Sequence, residues 1–249
     1  MPQGKGVFPY LFKHDFCIHT RRMLYRRWGL VYAAAIMVLL MAAFAIWGGE
    51  DQFKPDYLLY ACFAFPFVVF GVSFGMLKRE WSNGTSDWWL TLPYSRTKLL
   101  LSKLAASAAQ SFLLLFIYFA ALMLLELYNL AINGGDMGAF GTFVSLEAQY
   151  LFVVFVTSPF MLSLGLLAGV VGRSKWRPLL PLVWILFGLL GNVFNWLNVS
   201  NGDDGKIKSV MLFDGSASFW VWAIIPVAWL LAALLFAGAV NVCKKQLVL

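Results

Sequence analysis

The chain has 249 residues, of which 61% are hydrophobic, 17% aromatic and only 12% charged, with a net charge of +7. A soluble domain carries roughly 25% charged residues, so this composition excludes an ordinary soluble protein and points to an integral membrane one. Long apolar runs without the alternation and regular turns of a membrane barrel predict helices, because backbone groups in lipid must be satisfied within their own segment.

The leader comes first. Residues 1–28 carry Lys5, Lys13, Arg21, Arg22, Arg26 and Arg27, and Phe8, Leu11, Phe12 and Phe16 share one helical face. Asp15, Arg22 and Arg26 interrupt that face further on. An interfacial helix on the inner leaflet is expected, in preference to a basic leader with snorkelling arginines. Its two histidines, His14 and His19, stand five apart, which separates them on a helix and argues against a zinc pair.

Six runs are long enough to cross a hydrocarbon layer about 30 Å thick. They fall near residues 29–47, 57–77, 104–128, 148–172, 178–197 and 219–243, leaving 244–249 as a tail. Cleavage after the Ala43-Phe44-Ala45 stretch is not expected, because the basic leader and the apolar run are both too long for a signal peptide. Pro66, Pro159 and Pro226 fall inside the second, fourth and sixth runs, where membrane helices tolerate them as kinks. The three cysteines have no disulfide or metal spacing.

Orientation follows from the cations. Sixteen of the 19 Lys and Arg residues lie in the leader, the loop after run two, the loop after run four and the tail; Lys54, Lys206 and Lys208 lie on the other side. Both termini are therefore expected in the cytoplasm, in agreement with an even number of spans. The positive charge is assigned to anionic membrane lipid, with no need for nucleic acid. Ionisable groups avoid the runs, and Glu126, about 33 Å from the start of run three at 1.5 Å per residue, is expected at the outer surface. Neither an ion-coupled carrier nor an intramembrane enzyme fits so few buried polar groups, and no HExxH, GxSxG or Cys/His cluster occurs.

Smaller signals lie in the later runs. Gly165 and Gly169 are spaced for close helix packing. Asn192, Asn195 and Asn198 recur near the outer end of run five, where Asn192 and Asn195 are candidates for lining an exit. The last outer loop from Ser200 is polar, with an Asn198-Val199-Ser200 glycosylation acceptor that matters only in a secretory host.

The most specific stretch is REWSNGTSDWWLTLPYSRTKLLLSKL, residues 79–103. Ser82-Asn83-Gly84-Thr85 has turn chemistry. Ser86 can cap a short helix with Asp87 in its first turn, Trp88, Trp89, Leu90 and Leu92 follow, and Pro93 ends it. Ser95 can cap the next helix, which enters the membrane past Arg96, Lys98 and Lys103. Read from physics alone, the segment is equally an aromatic membrane-surface anchor or a short rod whose tryptophans enter a partner's pocket. Glu80 and Arg96, opposite in charge, are candidates to brace it.

The order Arg79-Glu80, Gly84-Thr85, Leu90, Leu92-Pro93, Ser95-Arg96 and Lys103 resembles the second-loop signature of type-2 ABC transporter permeases, although Trp88-Trp89 replaces part of the family's leucine pair. The motif covers about 25 residues, while the topology resembles the family along the whole chain. The resemblance implies an all-α integral membrane protein with six transmembrane helices, an N-terminal interfacial helix and a cytoplasmic coupling helix between spans 2 and 3. It implies that Thr85, Trp88, Trp89, Leu90, Leu92 and Pro93 meet a separate cytoplasmic ATPase, present in two copies, with Glu80, Gly84, Ser95, Arg96 and Lys103 in support. ATP and Mg would be bound by that ATPase, since the chain has no G-x-x-x-x-G-K-[ST], and this chain would hold no cofactor. A second permease subunit, identical or homologous, would complete a pathway in the cell membrane of a bacterial host. The expected role is export of a lipophilic, peptide or drug-like cargo. A peptide immunity or sensing complex without net transport is the alternative, and an intramembrane enzyme the third class.

Overall fold

The computed structural model describes residues 7–25, 27–48, 56–85, 90–134, 137–197 and 219–245. Their regular structure is helical. In chain order the helices are α1 (Val7–Tyr25), α2 (Arg27–Trp47), α3 (Asp56–Leu59), α4 (Phe65–Ser82), α5 (Arg96–Asn133), α6 (Met137–Val171), α7 (Leu180–Leu197) and α8 (Phe219–Lys245). Short 3-10 segments precede α4 (Tyr60–Ala64) and α7 (Arg177–Leu179).

Four of the described helical stretches are long and apolar enough to cross a membrane: Gly29–Trp47, Arg96–Asn133, Met137–Val171 and Ile225–Lys245. The second expected run, 57–77, is not one helix. Pro66 stands in the first turn of α4, where a missing N–H costs nothing, and α3 and the 3-10 segment lie ahead of it. The stretch is thus divided into three pieces, and Pro66 starts a helix instead of kinking one. Pro159 and Pro226 do lie inside α6 and α8.

Helix α6 is the hub, packing on α4, α5 and α8. Every residue from Met161 to Leu166 is buried, as are Ala168 to Val171, the pattern of a helix surrounded by others. Small residues set the closest approach. A Cβ on Gly165 would stand 2.7 Å from the Phe70 carbonyl oxygen, and one on Gly169 would stand 2.8 Å from Leu77 Cβ. Across the same seam Ser73 Oγ donates to the Leu162 carbonyl at 2.6 Å, and Trp81 Nε1 donates to the Gly169 carbonyl at 3.2 Å. Further out, Phe70, Phe74, Trp184 and Phe187 make edge and tilted ring contacts that hold α7 on α4.

The proline inside α6 frees carbonyls that an uninterrupted helix would use. Ser158 Oγ donates to the Phe155 carbonyl at 2.7 Å, and Trp229 Nε1 of α8 donates to the Val156 carbonyl at 3.0 Å. The break is therefore satisfied from within α6 and from its neighbour, as hydrocarbon surroundings require.

Candidate functional site

The C-terminal ends of α4, α6 and α8 and the N-terminal end of α5 share one end of the bundle. Their cations make it basic: Lys78, Arg79, Arg96, Lys98, Lys103, Arg173, Lys175, Arg177, Lys244 and Lys245. A core of Leu77, Leu90, Leu99, Leu100, Leu166, Val170, Val240 and Cys243 fills it, with Leu11, Trp81, Leu92 and Tyr94 packed at its margin. The leader, the loop after α4 and three long helices therefore meet around one apolar centre.

At that centre lies an ion cluster. Lys103 is 2% exposed, and a buried ammonium is tolerated only when paired. Its Nζ donates to Glu80 Oε1 at 2.7 Å and lies 3.5 Å from Asp15 Oδ2 of α1. The Thr85 hydroxyl donates to the other Glu80 oxygen, and the Thr85 N–H donates to the Glu80 carbonyl at 3.1 Å. His14 Nδ1 lies 3.5 Å from Asp15. Burial pushes the Glu80 carboxyl up, but the Lys103 ammonium and the hydrogen bonds from Lys103 and Thr85 outweigh it and hold the group below its ordinary range.

The loop is shaped by local rules. The Asn83 N–H closes the last turn of α4 onto the Arg79 carbonyl at 2.9 Å. Gly84 follows at φ +68°, a left-handed conformation that glycine adopts without strain. Ser95 caps α5: its backbone is extended and its Oγ accepts from the Lys98 N–H at 3.4 Å. Arg96 then reaches back to donate to the Leu90 carbonyl, which ties the start of α5 to the stretch just before it.

Four motif residues expected to act together, Glu80, Thr85, Arg96 and Lys103, are thus gathered within one loop and its flanking helices. Two details differ from expectation. Glu80 pairs with Lys103, two helical turns past Arg96, while Arg96 serves the loop backbone. Leu90, expected to face a partner, is 4% exposed and belongs to the chain's own core; Leu92 is partly buried against the same core. Leu90 therefore anchors the loop. Thr85 and Pro93 are exposed. Ser86, Asp87, Trp88 and Trp89 lie outside the described residues. Asn192 and Asn195 lie toward the C-terminal end of α7, and Asn198 and the following outer loop fall outside the described residues. Among the described residues no three His, Cys, Asp or Glu side chains come together as a metal site.

Two acidic residues are buried in the bundle. Glu126, expected at an outer surface, is 6% exposed, because α5 continues to Asn133 and α6 packs beside it. Glu147, one residue before the fourth expected run, lies ten residues inside α6 and is 0% exposed. Phe143 and Tyr150, one turn to either side on the same face, join the core formed with Phe44, Leu59, Leu122 and Leu125. The signal was the spacing of Phe143, Glu147 and Tyr150, which only a helix running through 137–150 makes meaningful.

No curated protein and no solved structure matches the chain. The family model described as ABC-2 family transporter protein matches residues 32–195, more than half of the chain and inclusive of every described motif residue of the loop. This protein, a membrane component of the ABC transporter type, therefore belongs to the ABC-2 transporter family.

Proposed function

We propose that the chain is the permease subunit of an ATP-driven exporter, and that the loop from Asn83 to Ser95 receives mechanical work from a separate cytoplasmic ATPase. The observation that carries this reading is the convergence of Glu80, Thr85 and Lys103 in one cluster, joined by Asp15 from α1. A loop that served only as a surface tether would have no use for a buried lysine bound to two other segments. In this arrangement, force on the loop passes through Leu90 and Arg96 into the basic core and α5, through Glu80 into α4, and through Asp15 into α1. Such a unit moves as a rigid body.

In this reading the basic end is cytoplasmic, and the divided stretch ending in α4 together with α7 supplies the two crossings beyond the four long ones. Trp88 and Trp89, between the Gly84 turn and the Leu90 anchor, are the side chains offered to the ATPase, with exposed Thr85 and Pro93 at the patch margins. Two ATPase copies and a second permease, identical or homologous, complete the machine, and ATP and Mg reside in the ATPase. An apolar, aromatic interior suits a lipophilic, peptide or drug-like cargo, and a bacterial cell membrane is the setting.

Affinity purification of the tagged full-length chain from its host tests the reading. The wild type is expected to bring down an ATPase bearing a Walker A motif, and the Trp88→Ala, Trp89→Ala double variant is expected to recover at least about tenfold less, the loss of roughly one anchor contact. Equal recovery would remove the two tryptophans from the interface.

A further inference from the structure

The sealed carboxylate at the far end of the bundle calls for a partner that the described residues do not supply. Glu147 is 0% exposed, and neither Oε1 nor Oε2 accepts a hydrogen bond. It stands 24 residues before Val171, the last residue of α6, so about 36 Å separates it from the basic end at 1.5 Å per residue. The cations of the described loops and helix ends lie at that opposite end. A carboxylate kept in a membrane helix without a partner is costly and marks a site of use.

Its surroundings fit a cation. Tyr118 of α5 and Tyr150 of α6 pack on the same core as Phe143 and Leu146, the residues beside Glu147 on its helix. The Tyr118 hydroxyl is already committed, donating to the Leu58 carbonyl at 2.7 Å, and so it leaves the carboxylate free while presenting an aromatic ring. Tyr150 belongs to the adjoining core. A carboxylate beside tyrosine rings is the chemistry that receives an alkylammonium group, by a charge-assisted hydrogen bond and by cation–π attraction.

We propose that Glu147, with Tyr118 and Tyr150 in the adjoining core, is the anionic pole of a cation subsite in the outer half of the membrane domain, taking an ammonium group carried by the transported molecule. The identity of that cation as cargo rests on the transport reading above; the binding itself does not. Access requires α5 and α6 to part at their outer ends, a motion left free because the closest packing of α6, on α4 at Gly165 and Gly169, lies toward the basic end.

The test uses the full-length chain in nanodiscs of neutral phosphatidylcholine and a fluorescent probe, dansylcadaverine, which carries a free primary ammonium. Its N-acetylated analogue has the same body without the charge. The wild type is expected to bind the ammonium form roughly tenfold or more tightly than the acetylated form, as a hydrogen bond to a charged group implies. Glu147→Asp retains the preference and Glu147→Gln abolishes it. No preference in the wild type, or a preference that survives in Glu147→Gln, overturns the proposal. Either result leaves the permease reading standing, since ATPase capture decides that separately.

Discussion

Lys103 concentrates the residue-scale physics of the site. A long cationic side chain at 2% exposure is held by Glu80 at 2.7 Å and approached by Asp15 at 3.5 Å, so removal of Glu80 strips it of its nearer partner. Breaking a buried pair costs far more than the pair contributes net, and Glu80→Ala is expected to lower stability by about 3 kcal/mol. The same cluster sets a pH dependence. Because the folded protein holds the Glu80 carboxyl below its ordinary range, its stabilisation is complete above that range and is lost as pH falls through the lowered value. Thermal unfolding of wild type and Glu80→Gln should therefore differ most at neutral pH and converge as pH falls below the ordinary carboxylate range. A gap that stays constant across this range would assign the cluster no role in acid sensitivity. The motif residues were legible in the sequence as a set because they are close in the chain. Their pairing was not, since Lys103 reaches Glu80 only once α4 and α5 lie side by side.

At the scale of the element, the seam between α4 and α6 governs the bundle. Gly165 meets the Phe70 backbone, which cannot rotate away as a side chain can. Gly165→Ala should therefore force the two helices apart, at a cost of about 1–3 kcal/mol as overpacking implies. Gly188→Ala, with nothing within 4 Å of its would-be Cβ, should leave stability nearly unchanged. Denaturation in detergent compares the two, and equal effects would contradict the seam. Gly165 and Gly169 stood out by their spacing, but their partner helix could not be named from the sequence. The helix boundaries were legible where the apolar runs end and were lost where helices continue past them. Residues 137–147 contain Gly138, Gly141 and Glu147 and read as an outer loop, yet α6 runs through them. Membrane-protein helices accept glycine more readily than soluble ones, and that tolerance hid both the start of α6 and the burial of Glu147.

For the molecule as a whole, the apolar composition carried the class, because it follows from the solvent in which the chain folds; the one-sided cations carry the proposed orientation. What was not legible was the division of labour at the basic end, where Leu90 is claimed by the chain's own core. With Leu90 and Leu92 turned inward or partly so, the proposed transmission of force falls to the tryptophans between Gly84 and Leu90. A photo-reactive benzoylphenylalanine at position 88, activated in intact cells, tests this most directly, with the cross-linked species identified by mass spectrometry. A covalent adduct with a cytoplasmic protein bearing a Walker A motif is the expected result; cross-links confined to lipid, or to molecules supplied from outside the cell, would contradict the coupling role.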